Sequence, residues 1–199
     1  MANLRANKIV GIGSTDAGVT FDGPISLNTQ GYMYFPTGNT TDRGRGRMLI
    51  GGGGSYPSES ATIYSINIQS QGNTVVFGDL TQAREGTAAV SSVTRAVFGG
   101  GYAGGPSPAG AQTAEMSFLQ IQSQGNALDF GDLTGSRSQL SGGSNSTRGL
   151  FFGGFTPSQV NNIDFITIAT TGNGTDFGDK TVASSEMSES GTSNAHGGL

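Results

Sequence analysis

The apolar residues of this chain fall in short runs that glycine and polar residues keep cutting off. Met48-Leu49-Ile50, Ala96-Val97-Phe98 and Leu150-Phe151-Phe152 each run straight into glycines. After them come segments such as Ile63-Tyr64-Ser65-Ile66-Asn67-Ile68 and Ile163-Asp164-Phe165-Ile166-Thr167-Ile168, which alternate along the chain. Alternation with a period of two turns one face of a strand toward a core. No stretch of 47–199 keeps a helical spacing, so the pattern predicts an all-β chain.

The runs recur. Phe-Gly-Asp stands at Phe77-Gly78-Asp79, Phe130-Gly131-Asp132 and Phe177-Gly178-Asp179, with spacings of 53 and 47 residues. Five residues before each Phe is a Gly-Asn pair: Gly72-Asn73, Gly125-Asn126 and Gly172-Asn173. Sixteen residues after Asp79 and Asp132 come Arg95 and Arg148, each opening the next apolar run, as Arg47 opens the first. A fixed period near 50 residues marks a repeat architecture. The expected units are 47–94, 95–147 and 148–199, each a four-stranded antiparallel sheet. The fourth strand of each (Thr87–Ser92, Gln139–Ser144, Met187–Thr192) is small and polar, suited to a crowded position near a pseudo-symmetry axis. The double glycines Gly51-Gly52, Gly99-Gly100 and Gly153-Gly154 let backbone pass close to a neighbouring sheet or take positive φ.

Residues 1–42 lie outside the repeats and read as a β-rich leader, joined through a polar linker to the repeat domain 43–199. The leader carries Ile9, Val10, Ile12, Phe21, Ile25, Leu27, Met33 and Phe35. That is too much apolar surface to leave in water, so the leader is expected to attach or oligomerise, the alternative being that it folds onto its own repeats and completes a sheet.

Composition narrows the function. The chain has 199 residues, 35 of them glycine, and a net charge of −4. The only basic cluster is Arg43, Arg45 and Arg47, so the basic footprint of a nucleic-acid binder is missing and no nucleic-acid partner is expected. No apolar run approaches the ~20 residues of a membrane helix, and Met1 to Lys8 lack the apolar core of a signal peptide. There is no cysteine, which suits assembly in a reducing compartment.

Candidate chemistry is thin, and no enzyme and no cofactor are expected. His196 is the sole histidine, so it has no His or Cys partner for zinc, and nothing resembles a nucleophile elbow. Asp79, Asp132 and Asp179 recur one per unit and read as turn residues rather than a catalytic pair or a calcium loop. Arg95 and Arg148 read as bridges between units to a carboxylate or a carbonyl. Loops after the double glycines, such as 102–111, vary most between units and offer Tyr56, Tyr102 and Phe155 as stacking surfaces.

The order of apolar run, double glycine, alternating strand, turn and further strand resembles the kelch repeat of β-propellers. Tyr64, Phe118 and Phe165 stand where that repeat carries tyrosine, but there is no tryptophan. Copper oxidation, known among kelch-type propellers, needs cysteine and two histidines that this chain lacks. A closer resemblance is to kelch-like virion proteins of tailed phages, particularly those of marine cyanobacteria. It rests on the leader from Ala6 to Phe21, the junction Asp42-Arg43-Gly44-Arg45-Gly46-Arg47, the repeated Gly-Asn-x-x-x-Phe-Gly-Asp and the closing Ser193 to Leu199. The resemblance implies a virion component of tail, fibre, neck or capsid decoration, assembled in the host cytoplasm. Its partners would be other virion proteins and its own copies. Propellers have four to eight blades and this chain codes for three, so closure between subunits or a prism-like arrangement is expected. The rival expectation is a module of the virion that binds a host surface glycan.

Overall fold

The computed structural model describes residues 46–54, 58–68, 70–104, 111–184 and 191–193. The leader with its apolar set, the fold and contacts expected of it, Arg43, Arg45, Tyr56, most of Met187–Thr192 and His196 lie outside the described residues. The described residues form fourteen strands and no helix.

Every strand pairing is antiparallel. Sheet 1 has the order β1 (Arg47–Gly51), β2 (Thr62–Asn67), β3 (Val75–Asp79). Sheet 2 runs β4 (Ala88–Ser91), β5 (Arg95–Gly99), β8 (Glu115–Gln120), β9 (Leu128–Asp132). Sheet 3 runs β10 (Ser141–Ser144), β11 (Arg148–Phe152), β13 (Ser158–Thr167), with β14 (Thr175–Ser184) and the short β12 (Phe155–Thr156) both on β13. A fourth, two-stranded sheet is the hairpin β6 (Tyr102–Ala103) and β7 (Ala111–Gln112), which follows the glycines of unit two.

The register repeats from sheet to sheet. Ile50 faces Tyr64, Phe98 faces Ser117 and Phe151 faces Asp164. A bulge interrupts the next pairing in all three: between Ile63 and Tyr64, Met116 and Ser117, and Ile163 and Asp164. It sits opposite Phe-Gly-Asp, where the extra residue turns the phenylalanine toward the next sheet. The expected turn role of Asp79, Asp132 and Asp179 is therefore corrected. Asp79 and Asp132 end strands and Asp179 lies inside one, paired with Thr62, Glu115 and Asn162.

The partition into units also differs from expectation. The small strand β4 bonds to β5, not to the strands of 47–79, and β10 bonds to β11. The reason is local. Only Ser92-Val93-Thr94 separate β4 from β5, and the Ser92 hydroxyl accepts from the Thr94 and Arg95 amides. Asn145 does the same for Thr147 and Arg148. A tight hairpin outcompetes pairing across the eight-residue connection 80–87, so the sheets change at 80–87 and 133–140 rather than at 94 and 147. Gly191 to Ser193, the described part of the third small segment, form no strand.

The three sheets stack face to face. Ile63, Phe77 and Leu80 of the first unit meet Ala96, Phe98, Leu119 and Ile121 of sheet 2. Val97, Met116, Phe130 and Leu133 meet Phe151, Ile166 and Ile168 of sheet 3. The small strands touch across this stack, with the Ser91 amide donating to Ser144 Oγ and the Ser144 hydroxyl donating to the Ser91 carbonyl. A side chain at Gly142 would come within 2.8 Å of the Ala89 carbonyl, which is why these strands are small.

Candidate functional site

Three devices join each sheet to the next, and they define what the sheet faces can do. The first uses both repeated motifs. The Gly125 and Ala127 amides donate to the carbonyls of Phe77 and Asp79 (3.2 and 2.8 Å), while the Asp79 amide donates to Asn126 Oδ1 (3.1 Å). Gly172, Gly174 and Asn173 make the same contacts with Phe130 and Asp132. The Gly-Asn turn of one sheet therefore seats on the Phe-Gly-Asp strand of the sheet before it. Glycine is required in that strand because the turn comes so close. A Cβ at Gly78 would meet the Gly125 carbonyl oxygen at 2.0 Å, and one at Gly131 would meet Gly172 at 2.6 Å.

The second device is the arginine that opens each apolar run. Arg47 donates to the carbonyl of Ile121 and Arg95 to that of Ile168, the latter at 2.9 Å. Each is a bridge to the following sheet. Arg95 and Arg148 also lie over aromatic rings of their own sheets, 4.4 Å from the centroid of Phe118 and 5.1 Å from that of Phe165. This contact adds cation–π attraction and fixes the fork's direction.

The third device uses two arginines that the hydrophobic pattern does not single out. Arg84 and Arg137, each five residues after the motif aspartate, are buried. Arg84 donates to the carbonyls of Glu115 and Phe98 and to Ser117 Oγ. Arg137 bridges Asp164 at 3.0 Å and donates to the Phe151 carbonyl. Asp164 also accepts from the amide and hydroxyl of Thr134 (2.9 and 2.7 Å). Burial lowers both guanidinium pKa values, and Glu115 and Asp164 respectively oppose that shift. A signal did exist, since arginine recurs at one offset from Asp79 and Asp132. It passes unnoticed because a single-sequence reading places charged residues on loops at the surface.

The outer faces of the stack keep the residue types of these joints without their partners. Ile68, Ile121 and Ile168 hold one position, yet Ile68 is 68% exposed and the other two are 8% and 0%. Phe77, Phe130 and Phe177 are 4%, 2% and 52% exposed. On the outer side of sheet 1 Met48, Ile50, Tyr64 and Ile68 are open, and on that of sheet 3 Phe177. A Cβ at Gly178 would touch nothing within 4 Å, unlike its equivalents Gly78 and Gly131.

The double glycines divide their work. A Cβ at Gly51 or Gly99 would come within 2.9 Å of the Phe98 or Phe151 ring of the next sheet, whereas Gly52, Gly100 and Gly153 take positive φ of 74°, 63° and 65°. The strand register puts Phe152, not Gly153, at the position of Gly51 and Gly99. Gly154 follows Gly153 with φ of 111°.

A groove of about 450 Å³ lies on the loop side, lined by Glu85, Gly86, Tyr102, Gln112, Ser138, Gln139 and Phe155. Single bridges Glu85–Tyr102 and Ser138–Phe155 hold its walls. Gln139, at the position of Gly86, has φ of 56° and is the only non-glycine with positive φ among the described residues. Tyr102 and Phe155, candidates from different units, are thus brought to one groove. Among the described residues no His, Cys, Asp and Glu side chains gather as a metal cluster. No protein-family model matches the chain, and no curated protein matches it.

Proposed function

We propose that the chain is a bacteriophage virion structural protein that acts by protein–protein assembly, with no catalytic step. The three sheets are then three kelch-like blades of a propeller-like arrangement, whose fourth strands are exchanged along the chain. The observation that carries this reading is the pair of open apolar outer faces. Repeat arrays that stand alone cover their ends with polar caps, and uncovered apolar faces of this kind mark association sites. The phage assignment rests on the sequence resemblance. Mass spectrometry of purified phage particles tests it: peptides spread over 46–184 at a stoichiometric level are expected. Recovery of the chain only in the soluble lysate of infected cells, never in particles, overturns it.

The groove between Tyr102 and Phe155 favours one second reading, a virion module that binds an uncharged surface glycan. Two aromatic rings beside Gln112, Gln139 and Glu85 offer stacking faces together with amide and carboxylate hydrogen-bonding groups. Glycan-array binding that Tyr102→Ala and Phe155→Ala both abolish is the expected result. Binding retained in both variants removes the groove from consideration.

A further inference from the structure

We infer that the two open faces belong together: a second copy of this chain docks head to tail, and two copies close a ring of six sheets. The inference rests on reading the sheets as blades, and it names the partner and the contact. Each inner joint needs a seat and an insert. The seat on sheet 3 is Phe177-Gly178-Asp179, with open space above Gly178 where the equivalent glycines meet a turn. The insert on sheet 1 is Gly72-Asn73, equivalent to the Gly125-Asn126 and Gly172-Asn173 turns that fill the inner seats.

The other devices agree. Arg148 stands where Arg47 and Arg95 reach forward to an isoleucine carbonyl, and Ile68, the matching isoleucine, is open on sheet 1. The buried-arginine device is absent from both sides at once. Ser184 replaces arginine on sheet 3, and Tyr64 replaces Ser117 and Asp164 on sheet 1. A buried arginine facing Tyr64, or a buried acid facing Ser184, would be an unpaired charge. The two losses match each other as the halves of one joint must.

Among the described residues Gly-Asn occurs three times, and two of the three turns already fill inner seats. The full Gly-Asn-x-x-x-Phe-Gly-Asp does not occur before residue 72, and the Gly38-Asn39 pair lies outside the described residues. Closure of one chain on itself would give three sheets and closure of three chains nine. Two chains give six, within the range that propellers adopt. A head-to-tail contact closes when its rotation divides the circle, and here the same joint would recur six times. In that ring the Asp179 amide donates to the side chain of Asn73 of the partner subunit, and Arg148 reaches the carbonyl of Ile68 of the partner subunit.

Sedimentation equilibrium of the full chain, with Ile50→Glu and Phe177→Glu, decides it. Both residues are exposed in the single chain, so each variant is expected to keep the wild-type circular dichroism spectrum. The wild type is expected at the mass of two chains of 20.2 kDa each. Either charge weakens association by at least about 30-fold, the scale of an interface hot spot. Mixing the variants restores one unaltered joint, pairing sheet 3 of the Ile50→Glu chain with sheet 1 of the Phe177→Glu chain, and regains two-chain species. A wild-type monomer overturns the inference, whether or not the chain is found in virions. So does a dimer that only one of the variants disrupts, or a mixture that stays monomeric. Loss of the virion assignment with the two-chain mass intact would leave the ring standing.

Discussion

Sheet 3 presents two faces, and they have opposite fates. Its inner face gives Phe151, Asp164, Ile166 and Ile168 to the joint with sheet 2, where they are buried to the last few per cent. Its outer face leaves the Phe177 ring half exposed. Sheet 1 shows the reverse asymmetry, with Ile63 and Phe77 buried and Ile50 and Ile68 open. The register of the first two paired strands and the bulge opposite Phe-Gly-Asp are alike in the two sheets, so local pairing does not cause the contrast. The contrast lies in whether a neighbouring sheet supplies the turn, the arginine and the opposing apolar layer. Each face is thus only half of an interaction.

The most severe break is expected at the inner joint. Phe151→Ala removes a ring that fills the space above Gly99 and should cost about 3–5 kcal/mol in urea unfolding, the usual loss for a buried phenylalanine. Ile50→Ala, at the same position in sheet 1, should cost under about 1 kcal/mol at protein concentrations too low for association, because the side chain has little to lose there. Equal costs would mean that sheet 1 is covered in solution.

Asp164→Ala is expected to be of similar size, about 3–5 kcal/mol, because it leaves the Arg137 guanidinium buried without its acid. Arg137→Met combined with Asp164→Leu should recover most of that loss. A thermal melt in which the double variant is no more stable than Asp164→Ala would show that the pair contributes more than mutual neutralisation.

Gly131→Ala and Gly178→Ala sharpen the comparison directly. Their φ values, 131° and 134°, are nearly the same, so backbone strain cancels between them. Only Gly131 has a neighbouring turn in the way, and it should be the costlier site by about 1–3 kcal/mol, as for overpacking. That gap should shrink as protein concentration rises and the seat at Gly178 is filled.

The smallest effect is expected in the groove. Gln139→Gly removes the left-handed strain of a side-chain-bearing residue and should stabilise by about 0.5–1 kcal/mol, the strain relief less the added chain entropy of glycine. No gain in thermal melting would mean that the glutamine side chain makes contacts worth as much as its strain.

The class of strand, the threefold repetition and the landmarks that join the sheets are legible in the amino-acid pattern alone. Alternation at 63–68, glycines after each apolar run and the fixed offset from Gly-Asn to Phe-Gly-Asp are local facts, and local facts suffice to form strands and hairpins. Tertiary structure decided where those landmarks meet. Asp79 looked like a turn residue because Gly-Asp usually is one, but the Asn126 side chain, 47 residues away, binds its amide in a strand. The small strand at 88–91 belongs to the following sheet because its hairpin closes more cheaply than the connection behind it. Arg84 and Arg137 are buried only because another sheet surrounds them with carbonyls and an acid. Such burial is long-range, set by which faces touch, and pattern along one chain cannot express it.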